Sequence, residues 1–240
     1  MTNNDSSLLI IVPAFNEEAV LATTLEALIK DVPHNQVLVV SDGSTDRTSA
    51  IVLEKNINLL ELPFNLGVGA AMRAGFQYAK ENNFSKVIQF DADLQHQPKY
   101  IKTISEKLDK FDVVIGSRFA DNTDYKVSFI RSAGMKLLKT SVSRHIGQNL
   151  TDVTSGFRGA NSKAISVFAE NYPAEYLADT VESIILAYDQ DLSITEIPVT
   201  MQERQGGMPS QNIFKSTLYL LRSILVIIAT LTIKNGKVKF

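Results

Sequence analysis

Hydrophobic and polar positions alternate between two textures along the first half of the chain. Short apolar runs at Leu8 to Pro13, Val37 to Val40, Ile57 to Leu62, Lys86 to Asp91 and Asp112 to Ile115 have the length and β-branched content of buried strands. Between them lie helical stretches: one to about Lys30 with Asn16 as its cap, one opened by the loop Ser41 to Asp46, one from Gly67 to about Glu81, and one from Lys99 to Lys110. Strands alternating with helices predict an α/β fold, a mostly parallel sheet covered on both faces. The second half is less regular. Phe129 to about Gly147 reads as a basic helix carrying Arg131, Lys136, Lys139 and Arg144, and Asp152 to Gly159 as a polar, turn-forming stretch. A helix from Asp179 to Asp189 then leads to a short strand, Ser193 to Ile197, ended by Pro198.

Sheets of this kind bind ligands beyond the carboxyl ends of their strands. Here those ends carry Pro13 to Glu17, Asp42 to Asp46, Asp91 to Gln95 and Gly116-Ser117-Arg118, four polar loops expected on one edge. The third is the most pointed. Asp91 and Asp93 are two residues apart at the end of an apolar run, and on extended backbone both side chains share a face. Like charges held that close repel unless a cation or donor lies between them. With the amide of Gln95, the set suits a hard divalent ion that keeps open positions for phosphate. The competing reading is an acidic, solvated turn. Further on, Met201 to Ser210 sets a glycine pair beside Arg204, which suits either a mobile loop closing over an anion or a plain linker.

Composition narrows the class. At 240 residues and 45% hydrophobic, the chain fits one large globular domain. It has no cysteine, which excludes disulfides and thiolate metal sites, and its first residues lack the pattern of an export signal. All 26 acidic residues lie at or before Glu203 and six of the 24 basic ones follow it, so an acidic body of −8 carries a basic tail of +6. That tail is also apolar: Phe214 to Ile233 is a long helix candidate, interrupted by Lys215 and Arg222. A span needs ~20 apolar residues, so a helix lying in a membrane interface, or packed on a membrane partner, is expected, with burial in the chain's own core or in a homo-oligomer as the alternative. Nucleic acid fits poorly, because the basic residues are interleaved with aliphatics.

Together these stretches resemble the family 2 glycosyltransferases of the GT-A fold, most nearly the polyprenyl-phosphate group that includes dolichol-phosphate mannose synthase. The resemblance covers about residues 8–210 and rests on Val12 to Glu17, Ser41 to Asp46, Asn65-Leu66-Gly67-Val68-Gly69, Asp91 to His96, Gly116-Ser117-Arg118, Ser155-Gly156-Phe157-Arg158, and Arg204 with Ser210. It implies a GT-A (Rossmann-like) catalytic domain over 1–210 and a membrane- or partner-associating segment over 211–240. It also implies roles. Pro13, Ala14, Phe15 and Glu17 would hold the nucleotide and Asp42 would read its base, with Asp91 and Ala92 beside the donor's ribose and sugar. Asp93 and Gln95 would ligate Mg2+ or Mn2+, Arg118 and Arg131 would grip the acceptor phosphate, and Arg204 would close on the diphosphate. The chain departs from the pattern at Val68, Gln97 and Gln211, where the family often has lysine, proline and lysine.

The implied reaction moves a sugar, with inversion, from a nucleotide diphosphate to a polyprenyl phosphate at the cytoplasmic face of a membrane. Asp91, Asp152 and Arg204 are its candidate catalytic residues. An anionic acceptor needs no strong base, in keeping with only three histidines, His34, His96 and His145; His96 is expected to act through its neighbours. One alternative is transfer to a saccharide hydroxyl, with Asp179 or Glu182 as base. Another is a non-catalytic sugar-nucleotide-binding subunit. A small integral membrane protein as partner follows from the resemblance alone.

Overall fold

The computed structural model describes residues 7–119, 129–174 and 179–201, with backbone only for 129–133. Arg204, the glycine pair and the tail helix expected over Phe214 to Ile233 lie outside the described residues. Seven strands form one sheet: β1 (Leu8–Ala14), β2 (Val37–Asp42), β3 (Asn58–Leu62), β4 (Lys86–Gln89), β5 (Val113–Ser117), β6 (Arg158–Asn161) and β7 (Ile194–Pro198). Their order across the sheet is β3-β2-β1-β4-β6-β5-β7. All pairings are parallel except those of β6, which runs against both β4 and β5.

The alternation of side chains along each strand divides the core in two. Leu9, Ile11, Leu38, Val40, Val87, Val113 and Ile115 face one layer, made by α3 (Val68–Glu81), α5 (Phe129–Ile146), α6 (Ser162–Asn171) and α7 (Asp179–Asp189). Leu8, Ile10, Val12, Val37, Val39, Ile88 and Val114 face the other, made by α1 (Leu21–Leu28), α2 (Thr48–Glu54) and α4 (Ile101–Lys107). Strand runs that are apolar on both faces therefore become a sheet sandwiched between helices, as expected.

Four details depart from the sequence-based expectation. The first helix starts at Leu21, and Asn16 does not cap it: Asn16 is in the left-handed region (φ 53°) and spends its side chain elsewhere. The central strand stops at Gln89, so Asp91 and Asp93 do not lie on extended backbone; Leu94, at φ 65°, turns the chain sharply after them. The helix expected from Lys99 opens as a 3-10 turn, Pro98–Tyr100, and ends at Lys107. Strand β6 and helix α6 were not foreseen. Arg-Gly-Ala-Asn offers no apolar alternation, and β6 exists because it fills the slot between β4 and β5, with Gly159 packed under Ile104 and Leu108.

Candidate functional site

Strands β1, β2, β4 and β5 all end on the same edge, which brings the four polar loops together. The first two are locked to each other by backbone-to-side-chain bonds. Asn16 N–H donates to Ser44 Oγ (3.1 Å), Thr45 N–H to Asn16 Oδ1 (2.8 Å), Glu17 N–H to Thr48 Oγ1 (2.9 Å) and Glu18 N–H to Asp46 Oδ2 (3.1 Å). Arg47 N–H returns a bond to Glu18 Oε2 (3.0 Å). Burial raises the Asp46 carboxyl, but bonds from Thr48 and the backbone more than offset this and hold it below its ordinary value. Phe15 is 41% exposed above this clamp, a large ring facing outward where a planar ligand can stack.

Asp42, at the end of β2, is buried and accepts from two consecutive amides of the next loop, Leu66 N–H and Gly67 N–H, each at 2.8 Å. Gly67, at φ 94°, supplies the bend that brings both amides to one carboxylate. The residue expected to read a base is thus also the anchor of the loop that opens α3.

The turn after β4 carries the two central acids. Thr24 Oγ, buried on α1, donates to Ala92 C=O (2.7 Å) and fixes the peptide between them. Asp93 Oδ1 accepts from Gln95 N–H (3.1 Å). Asp91 is gripped from both sides. Gln89 Nε2 donates to Oδ1 (3.0 Å), and His96 lies against the same residue, its Nδ1 accepting from Asp91 N–H (2.9 Å) and its Nε2 3.4 Å from Oδ2. An Nδ1 that accepts leaves the proton of the neutral ring on Nε2, directed at the carboxylate. Burial pushes the His96 pKa down, against the pull of Asp91 and Asp93, so the ring is neutral at pH 7. It stacks on Phe157 (centroids 4.5 Å apart) and meets Phe90 edge-on.

Gly156 completes this half. A methyl group there would lie 2.9 Å from Asp91 Oδ2 and 3.2 Å from Gln89 Nε2, so any side chain would push the carboxylate out of place. Among the described residues no three His, Cys, Asp or Glu side chains gather as a metal cluster. Asp91, Asp93 and Gln95 stand on this one turn, with Asp93 Oδ1 held by the Gln95 backbone amide. Two carboxylates and an amide are a hard, incomplete set, and they fit a divalent ion that takes its remaining ligands from phosphate and water.

Across the edge, Arg118 and Asp152 form a buried, two-pronged pair: Nε to Oδ2 at 2.6 Å and Nη2 to Oδ1 at 2.8 Å. Arg118 also donates to Thr154 Oγ1 (2.8 Å). Burial raises the Asp152 carboxyl, yet Arg118 more than reverses this and holds it below the usual range. Glu196, on β7, clamps the backbone beneath, accepting from Thr151 N–H (2.7 Å) and Asp152 N–H (2.8 Å). Arg158, buried on β6, ties the same loop to α7, donating to Ser155 C=O (2.6 Å), Val153 C=O (2.9 Å), Ser183 Oγ (2.8 Å) and Thr180 C=O. Asp179, at the start of α7, is buried with its Oδ2 unbonded among the described residues, and burial pushes its pKa up to about 6 against the pull of Arg158.

A cleft of about 180 Å³ opens beside the Arg118–Asp152 pair, lined by Phe119, Met135, Lys136, Lys139 and residues 151–154. Arg131 lies on α5, but its side chain is outside the described ones. Gln97, where the family pattern often has proline, donates to Thr200 C=O (2.8 Å), and Tyr100 O–H pairs with Thr200 Oγ1 (2.8 Å). These bonds pin the chain just ahead of Arg204. The structure thus brings Pro13, Ala14, Phe15, Glu17, Asp42, Asp91, Ala92, Asp93, Gln95, Arg118 and Asp152 to one edge. Gln89, Gly156 and Glu196 were not singled out individually from sequence. Gly156 had a signal, its place in Ser155-Gly156-Phe157-Arg158, whereas Glu196 sits in an unremarkable short strand.

Comparison with known proteins places this edge in context. The family model described as Glycosyl transferase family 2 matches residues 9–168. An undecaprenyl-phosphate mannosyltransferase of Micrococcus luteus is 28% identical over 226 residues, 83% of this chain and 85% of the relative. A dolichyl-phosphate beta-glucosyltransferase of Trichomonas vaginalis is 30% identical over 242 residues, 88% of this chain and 71% of the relative. Among solved structures, glucosyl-3-phosphoglycerate synthase from Mycobacterium tuberculosis, crystallised with Mn2+, UDP and glucosyl-3-phosphoglycerate, superposes with a TM-score of 0.73 at 16% identity. The match covers 94% of this chain and 79% of that one.

Proposed function

The chain belongs to glycosyl transferase family 2 and has the GT-A fold, and from that premise we propose that it transfers a sugar from a nucleotide diphosphate to a polyprenyl phosphate, with inversion. The observation that carries the reading is the Asp91 turn, where His96, Gln89 and Gly156 hold one carboxylate at the mouth of the edge next to Asp93 and Gln95. The acceptor class follows from relatives named for undecaprenyl-phosphate and dolichyl-phosphate transfer.

In this reading Pro13, Ala14, Phe15, Glu17 and Asp42 hold the nucleoside, and Asp91 with Ala92 orients the ribose and sugar. Asp93 and Gln95 would hold Mg2+ or Mn2+, which when bound supplies Lewis-acid relief of the charge that develops on the departing diphosphate. Arg204 adds a second counter-charge. Neutral His96 keeps Asp91 in one rotamer and takes no proton from the acceptor. Arg118, Arg131 and Asp152 shape the acceptor end. A phosphate monoester is already a nucleophilic anion, so orientation is the main requirement there.

Residues 1–210 form the catalytic domain, and 211–240 contact the cytoplasmic face of the membrane or a small integral membrane partner. Among the described residues no helix is long and apolar enough to cross a membrane. One observation favours a second reading, a saccharide hydroxyl acceptor: Asp179 is a buried carboxyl with an elevated pKa and an oxygen unbonded among the described residues, the properties of a base.

The test is transfer of labelled sugar from a panel of nucleotide sugars to undecaprenyl phosphate or to oligosaccharides, with Mg2+ or Mn2+. Turnover on the lipid alone is expected, with Asp93→Ala losing at least about 1,000-fold of it, as when a principal transition-state stabiliser is removed. Turnover confined to saccharides would replace the lipid reading with the second, and full activity of Asp93→Ala would remove the metal role.

A further inference from the structure

Helix α1 turns four side chains into the core, Leu21, Thr24, Leu25 and Leu28, each fully buried. Thr24 differs from its neighbours in chemistry. A hydroxyl taken out of water among leucines is unfavourable unless it is bonded, and valine would fill the same space without that demand. Thr24 Oγ1 lies 3.2 Å from Val20 C=O, the local contact open to any threonine in a helix, and 2.7 Å from Ala92 C=O, 68 residues on. One proton serves one acceptor best, and the short bond is the distant one. Ala92 is itself buried, so its carbonyl needs a donor, and among the described residues Thr24 is the one that reaches it. That carbonyl belongs to the residue between the two central acids. Asp91 is held by Gln89, His96 and the confined space at Gly156. The rest of the turn closes on itself, through Gln95 N–H to Asp93 Oδ1 and a left-handed Leu94 (φ 65°). Leucine is disfavoured in that conformation, so the surroundings must hold the turn in place. Thr24 grips its middle. The same bond joins two loops: Val20 and Leu21 N–H both donate to Glu17 C=O (3.1 and 2.9 Å), so α1 starts directly from the loop proposed to hold the nucleoside.

We propose that Thr24 is a positioning residue for the divalent ion: through the Ala92 carbonyl it sets the reach from the nucleoside loop to Asp93 and Gln95. It touches neither substrate nor ion. The proposal rests on the metal reading above and adds what holds those two ligands at a fixed place relative to the nucleoside. Its effect falls on the joint binding of ion and nucleotide. Nucleotide alone needs only the loops after β1 and β2, which stay bonded to each other without Thr24. The bond is also separable from packing, because Thr24→Val keeps the shape and loses the hydroxyl, whereas Thr24→Ser keeps the hydroxyl and loses the methyl group.

The experiment is calorimetric titration of the full chain with Mn2+, alone and with UDP, GDP, CDP or ADP at saturation, beside titration of each nucleotide without metal. With nucleotide present, Thr24→Val is expected to bind Mn2+ about tenfold more weakly, the effect of one buried carbonyl left unpaired. Its affinity for nucleotide without metal should change by less than about twofold, and Thr24→Ser should bind Mn2+ within about threefold of wild type. In turnover, kcat of Thr24→Val should fall by about ten- to 100-fold while KM for the lipid stays as it is. Should thermal unfolding show that Thr24→Val does not fold, Thr24→Ala, a better helix former, carries the same expectation for Mn2+. A folded valine or alanine variant that binds Mn2+ within about twofold of wild type would overturn the proposal. So would a serine variant impaired as much as the valine one, since packing would then be the cause. Failure of the underlying reading looks different: wild type would bind Mn2+ no more tightly with a nucleotide than without, or Asp93→Ala would bind it as wild type does, whatever stands at position 24.

Discussion

The proposed donor and acceptor halves of the edge handle charge in opposite ways. On the proposed donor side carboxylates are satisfied by backbone amides: Asp42 by those of Leu66 and Gly67, Asp46 by those of Thr48 and Glu18, Asp93 by that of Gln95. On the proposed acceptor side the two central charges are paired with each other, Arg118 with Asp152, above a 151–152 backbone that donates to Glu196. An acid held by amides keeps its charge available for metal and sugar, whereas an arginine held by an acid does not. The first half is built to present charge and the second to cancel it.

That contrast can be broken most forcefully at Asp152. Replacing it with alanine strands Arg118 in a buried site and should cost about 3–5 kcal/mol in denaturant unfolding. Asp93→Ala, which removes a carboxylate held by backbone, should cost far less in the same measurement. Equal losses would erase the distinction between the halves.

Next in size is Gly156→Ala. Its methyl group collides with the Asp91 carboxylate, and turnover should fall by about 100-fold, as a misplacement near 1 Å does, while thermal unfolding shows a folded protein. Normal kcat in that variant would mean that Asp91 has room to move and is not held for catalysis.

The smallest effect concerns Asp179. Its pKa is raised to about 6 in the folded state, so the stability it contributes is present below about pH 4 and is lost as pH rises through 6. Between about pH 4 and pH 7, wild type should lose about 1–3 kcal/mol relative to Asp179→Asn. Parallel stability profiles for the two proteins would place the titration elsewhere.

Legibility in the sequence follows the same divide. The first three strands, β4 and the polar loops that follow them could be read directly, because apolar runs end at once in Asp, Asn and Gly. Asp91 and Asp93 stood out by their spacing, although the argument from extended backbone does not hold: the acids sit on a turn. Asn16 was placed as a helix cap because the 28-residue reach to Ser44 has no local sign. Glu196 and the Arg118–Asp152 pair depend on contacts made only when β5, β6 and β7 assemble. Strand β6 itself escaped notice because its slot, and not its composition, makes it a strand.

The reversal of β6 has a use that a uniformly parallel sheet lacks. In such a sheet only the segment leaving each strand reaches the working edge. A strand turned end for end presents its approach there as well, so residues 151–157 arrive between two neighbours and touch both, Gly156 against Asp91 and Asp152 against Arg118. One seven-residue passage thus borders both halves of the edge. Exchanging that passage between relatives is therefore an economical route to new donor–acceptor pairings, since a single graft retunes both sides while the strands stay as they are.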